Sequence, residues 1–140
     1  GDGGGCHPRD NIALSWLSDK LDMSFNWFDN IMKQREVQTD WLADIIEYNK
    51  KGKVVILGKS FKPETNLTDG STSMLVGHYV EQAGHKVVYD NISVSPAVYL
   101  LAHPVDYSAV NFAEGSVIVD MYRKYNTFYD KIKVIHYGVK

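Results

Sequence analysis

Cysteine is nearly absent from this chain, with Cys6 the single example in 140 residues. That excludes an internal disulfide framework and a cysteine zinc cluster, so Cys6 can matter only as a thiol. No stretch approaches the roughly 18 apolar residues of a membrane span, and the Gly-rich start lacks the basic-then-apolar pattern of a leader. A soluble cytoplasmic protein is expected. A formal charge of -2 provides no basic field of the kind that drives nucleic-acid binding. No internal repeat is visible beyond the first glycines. What is present suits one globular domain able to bury a real core: 44% hydrophobic residues, 12% of the total being aromatic.

The chain opens on Gly1-Asp2-Gly3-Gly4-Gly5-Cys6, a loop with no element before it, which predicts membership of a larger architecture. Asp10 sits where an N-cap would, ahead of Ile12, Ala13, Trp16, Leu17 and Leu21, whose spacing repeats on one helical face. A second pattern from Phe25 through Ile46 to the stop at Asn49-Lys50-Lys51-Gly52 predicts a helix of about 25 residues. Its aromatics exceed what a small neighbouring domain covers, which predicts burial against another chain.

From Lys53 the texture changes to short β-branched runs: residues 54–57, 86–89, 98–101, 117–119 and 134–136. Such runs suit strands of a parallel sheet covered on both faces. Between the first two lies a helical segment from Ser71 to Ala83, closed by Gly84, making a βαβ unit. Asn91 to Pro96 is too short for a helical crossover, so either that connection is irregular or the third strand is misplaced. The expected class is α/β: long helices over residues 1–51, then a Rossmann-like, mostly parallel five-stranded sheet over 52–140.

The densest chemistry is Gly3-Gly4-Gly5-Cys6-His7-Pro8-Arg9-Asp10. Glycines let backbone approach a ligand, a helix N-terminus stabilises a nearby thiolate, and Arg9 would add to that. Asp10 could deprotonate a water attacking whatever the sulfur carries. The plainer reading is that Asp10 caps the helix and Cys6 is a small spare residue; spacing alone does not separate the two. His7 has no assigned role.

The same stretch resembles the G-F-G-G-x-C-x-P-K-D loop of the UDP-glucose/GDP-mannose dehydrogenase family. Lys53-Val54-Val55-Ile56-Leu57-Gly58-Lys59-Ser60-Phe61-Lys62-Pro63-Glu64-Thr65 resembles that family's K-x-A-x-L-G-x-A-F-K-P-x-T opening. Residues 81–90 resemble its second strand, and residues 117–123 its V-V-D-x-x-R segment. The family oxidises the 6-hydroxyl of a nucleotide sugar to a carboxylate in two NAD-dependent steps. The resemblance implies that Cys6 forms a thiohemiacetal and then a thioester, that Asp10 helps activate the hydrolytic water, and that Gly3 admits the sugar. It implies further that Phe61, Lys62 and Arg123 contact substrate, Arg123 by holding diphosphate oxygens, and that the long helix supports a homodimer. The plain alternative is packing for Phe61 and solvated surface for the two cations, as for Lys59.

Several departures accompany the match. Only Gly58 follows the first strand, where a dinucleotide fingerprint needs G-x-G-x-x-G. The family binds NAD mainly through an N-terminal domain that this sequence does not contain. Its T-R-E-S segment aligns with Thr68-Asp69-Gly70-Ser71, and Asp69 would repel a cofactor phosphate. The alternative expectation is a non-catalytic module that binds nucleotide sugar and dimerises.

Overall fold

The computed structural model describes residues 5–50, 52–126 and 131–138. Helix α1 (Cys6–Lys20) and helix α2 (Trp27–Tyr48) form a hairpin. The sheet portion follows as β1 (Lys53–Leu57), α3 (Thr72–Gln82), β2 (Val87–Tyr89), β3 (Ala97–Leu101), β4 (Val117–Asp120) and β5 (Lys133–His136). All five strands pair in parallel, in the order β2-β1-β3-β4-β5. The α/β expectation and the five apolar runs are realised.

The start of α1 differs from the expectation. The helix begins at Cys6 with Gly5 at its N-cap, and Asp10 lies inside it rather than capping it. Pro8 permits this because the first four helical N–H groups have no intrahelical acceptor, so a proline there forfeits no bond. Asn26 takes the capping role one helix later. Its side chain accepts the Asp29 N–H at 3.0 Å while its amide donates to Ser15 and to Asp19, locking the hairpin turn.

Handedness explains how the layers are filled. A right-handed β1-α3-β2 step puts α3 on one face, and reversing direction to reach β3 with the same hand forces the next connection onto the other. On the helical face, Leu42, Ala43 and Ile46 of α2 meet Val76, Val80, Val54, Ile56, Val98, Leu100 and Val119. Helices and sheet are therefore joined by packing as well as by the chain. The opposite face carries no helix among the described residues; Tyr107, Phe112 and Tyr125, from the irregular segments after β3 and β4, cover Val55, Tyr99, Leu101 and Ile118.

The connection over residues 90–96 is an irregular strap, and the third strand is correctly placed. Seven residues reach at most about 25 Å. The path runs from level with Ile56, the register partner of Tyr89, back to level with Lys53, the partner of Ala97: about 10 Å along the strands and two strand spacings of about 5 Å across, roughly 14 Å in all, so the strap has length to spare and takes it up in bends. It crosses the helix-free face, where the Ser93 N–H donates to the hydroxyl of fully buried Tyr99 at 3.0 Å.

Candidate functional site

Cys6 is exposed at the first turn of α1, and Asp10 follows one turn later on the same helical face. Arg9 binds Asp10, Nε to Oδ1 at 2.8 Å, on the open surface. The Arg9 guanidinium is pushed above its ordinary range, first by that hydrogen bond, then by the charge of Asp10 and of Cys6. Arg9 thus feels both the thiol and the carboxylate. The thiol loop rests on the turn leading into α3, backbone against backbone. A Cβ on Gly5 would stand 2.8 Å from the Asp69 carbonyl oxygen, and one on Gly70, at φ +72°, would stand 2.7 Å from the Gly5 Cα. Two glycines therefore set how closely Cys6 approaches the sheet portion. Gly3 lies outside the described residues.

The loop after β1 carries Phe61 and Lys62. The Phe61 N–H donates to the Leu67 carbonyl at 3.0 Å, closing the loop, and the Lys62 ammonium sits 5.4 Å from the Phe61 ring centroid. Arg123 follows β4 in a turn where its own φ is +54°. The structure brings the Cys6 loop to the Asp69–Gly70 turn and pairs Phe61 with Lys62. Arg123 stands apart, after another strand, at the same carboxyl edge of the sheet.

Sequence reasoning missed what lies between them. A cleft of about 110 Å³ opens where α2, the start of α3 and the end of β4 meet, lined by Arg35, Thr39, Thr72, Met121, Tyr122 and Tyr137 among others. It is too small for a nucleotide sugar, which would have to lie across the edge rather than inside it. The Arg35 side chain is only 11% exposed and its Nη1 is 3.6 Å from Glu36 Oε1. Glu36 accepts in turn from the Tyr79 hydroxyl at 2.6 Å, a bond that raises the Tyr79 pKa and ties α2 to α3. No local pattern signals Arg35; it matters because a helix forty residues away passes beside it.

In a doubly wound sheet the ligand crevice lies where the winding reverses, here between β1 and β3. That crevice is filled by the chain itself. Asp90, at the end of β2, accepts the N–H groups of Gly58 at 2.6 Å and Lys59 at 3.3 Å. Ser73 donates to the Gly58 carbonyl, and Ser71 to that of Lys59. The His103 ring stands 2.6 Å from where a Gly58 Cβ would be. Amides that would cradle a pyrophosphate are already bound to a carboxylate, so this loop does not fit a dinucleotide cofactor. Among the described residues no group of three His, Cys, Asp or Glu side chains could hold a metal ion, and no helix is long and apolar enough to cross a membrane.

No family model matches the chain. A UDP-glucose 6-dehydrogenase of Bacillus subtilis is 28% identical to it, over 76% of this chain and 24% of that protein. A GDP-mannose 6-dehydrogenase of Pseudomonas putida is 38% identical over 64 residues, 46% of this chain and 15% of that protein. The chain thus spans about a quarter or less of the length of these relatives. The GDP-mannose dehydrogenase of Pseudomonas aeruginosa, solved as a ternary complex, superposes on 94% of this chain and 39% of its own, with TM-score 0.74 at 18% identity. The UDP-glucose dehydrogenase of the archaeon Pyrobaculum islandicum gives TM-score 0.69 at 19% identity, over 99% of this chain and 38% of its own. At such identities the structures establish the fold. In sequence and in fold the chain is thus similar to part of the UDP-glucose and GDP-mannose 6-dehydrogenases.

Proposed function

We propose that the chain supplies the thiol and nucleotide-sugar portion of a dehydrogenase that oxidises the 6-hydroxyl of a nucleotide sugar to a carboxylate. The observation that carries this reading is the docking of the Cys6 loop, through Gly5 and Gly70, onto the edge that also bears Phe61, Lys62 and Arg123. The Cys6 thiolate adds to the carbonyl carbon of the C6 aldehyde, and the oxygen takes a proton, giving a thiohemiacetal. Two oxidations are needed, of the 6-hydroxyl to that aldehyde and of the adduct to a thioester, and each would pass one hydride to an NAD, which the loop after β1, its amides already bound to Asp90, is not built to hold. At the thioester stage water attacks the carbonyl carbon, Asp10 takes its proton, and the C–S bond breaks to return the thiolate. Asp10 can do so by exchanging its exposed Arg9 partner, since surface ion pairs contribute only about 0–1 kcal/mol. Lys62 and Arg123 neutralise the diphosphate, Arg123 by a two-pronged grip. Cytoplasmic nucleotide-sugar metabolism is the setting that suits this chemistry.

A second copy is the partner proposed for the helical hairpin. Ile12, Trp16, Leu17, Phe25 and Trp27 all lie on its open surface. Sedimentation equilibrium should show a dimer that Trp16→Glu weakens.

A non-catalytic binding module is the second reading, favoured by the filled crevice and by Asp69. Two measurements separate the readings. Melting temperature should rise with a UDP-sugar or a GDP-sugar; no shift with either counts against both readings. Iodoacetamide should alkylate Cys6 near neutral pH faster than a free model thiol, and an unenhanced rate would leave only the binding module.

A further inference from the structure

Asp120 is a carboxylate buried to 1% exposure at the end of β4, and the proposed chemistry does not use it. One oxygen accepts the Tyr122 N–H at 3.0 Å and the other the Tyr125 N–H at 2.8 Å. These two amides bracket Arg123, which sits in the left-handed region at φ +54°. On the neighbouring strand His136 is the register partner of Asp120, with its Nδ1 3.6 Å from the second oxygen, and the Tyr137 N–H donates to the Asp120 carbonyl. The carboxylate therefore has backbone donors on one side and β5 on the other. A non-glycine residue at positive φ costs roughly 1–2 kcal/mol and persists only where its surroundings over-determine it. Charge-assisted bonds to flanking amides are the kind of constraint required.

We infer that Asp120 is a positioning residue for Arg123: by clamping the Tyr122 and Tyr125 amides it holds the turn in the one conformation that presents the guanidinium at the carboxyl edge before any ligand arrives. The inference rests on the reading above that Arg123 grips a diphosphate. It adds that the grip is preorganised and that Asp120 acts only through Arg123. Asp120→Asn is nearly isosteric, but its amide nitrogen cannot accept, so one clamp is lost.

The test is a double-mutant cycle on this chain with UDP and GDP as probes, titrated well below the melting temperature. Asp120→Asn should weaken whichever nucleoside diphosphate binds by about tenfold. Arg123→Ala should weaken it at least as much, and Asp120→Asn should add nothing in the Arg123→Ala background. A fall in melting temperature with unchanged affinity would mean that Asp120 is structural only, and the inference fails while the diphosphate reading stands. Unchanged affinity in Arg123→Ala, or no binding of either probe to the wild type, removes the diphosphate reading and the inference with it. Should Asp120→Asn not fold, the wild-type amides decide the matter. Those of Tyr122 and Tyr125 should be protected from hydrogen exchange without ligand, and protection acquired only with UDP or GDP overturns preorganisation.

Discussion

The helix α1 and the strand β3 are built on opposite principles. All five residues of β3 are buried and apolar in character, whereas α1 buries only Asn11 and Ser18, both polar, and turns Ile12, Trp16 and Leu17 outward. The sheet shares its core with α2, through Leu42, Ala43 and Ile46. Helix α1 is tied to α2 by polar bonds, such as the Asn26 amide to Ser15 and Asp19, and leaves its hydrophobic surface to whatever covers it. Stability and interaction are thus assigned to different parts of one chain, and substitutions should separate them.

The widest gap should come from truncating equivalent bulk in the two regions. Leu100→Ala removes a fully buried side chain and should cost about 2–5 kcal/mol in urea unfolding, while Trp16→Ala, at concentrations low enough to keep the chain monomeric, should stay within about 0.5 kcal/mol. Comparable losses in the monomer would mean that α1 is packed within the chain.

Alkali should attack the sheet selectively. Tyr107 is buried on the helix-free face, and that burial pushes its phenol up to about 12. Its folded value lies above the unfolded value of about 10, so folding favours the protonated form. The associated stability is complete below pH 10 and is lost as pH rises towards 12. Comparing urea midpoints of wild type and Tyr107→Phe at pH 9 and 11 isolates this contribution; the wild type should lose more between the two.

Asn26→Ala should destabilise by about 1–2 kcal/mol, since it removes a helix cap and the amide that locks the hairpin. Fluorescence of Trp16 and Trp27 should report it before the far-ultraviolet signal of the sheet changes. At the seam between the regions, Gly84→Ala and Gly70→Ala form a matched pair. Both positions have positive φ, but nothing lies within 4 Å of a Gly84 Cβ, whereas one on Gly70 meets Gly5. Gly84→Ala should cost roughly 1 kcal/mol from backbone strain alone. Gly70→Ala should cost more and also alter the alkylation rate of Cys6; equal effects would show that the contact does not hold the thiol loop.

The sheet was legible because strands buried on both faces leave unbroken apolar runs such as Val98-Tyr99-Leu100-Leu101, and the α3 segment because Ser71 and Gly84 bound it. The start of α1 was misread because glycines and Pro8 look like loop, although a proline in the first helical turn breaks nothing. Cys6 and Asp10 stood out as a pair because four residues separate them, which puts them one turn apart on α1, but spacing left a thiol site and a plain helix start equally open. Asp90 and His103 were not recognisable because each acts on the loop after β1, more than thirty residues away, and Arg35 and Asp120 were not because their burial depends on a neighbouring helix and strand. Asp90 accepts amides more than thirty residues away in sequence, and Asp120 buries its charge only because β5 closes over it.

The strap over residues 90–96 bridges only about 14 Å, from the Ile56–Tyr89 register pair to the Lys53–Ala97 pair, with a length of chain that could reach about 25 Å. Its spare length is taken up in bends beside the Ser93 N–H that meets Tyr99. Adding residues would only raise a bulge into solvent, at a closure cost that grows slowly with length. The segment thus offers room for natural insertions, for epitope tags and for grafted recognition loops.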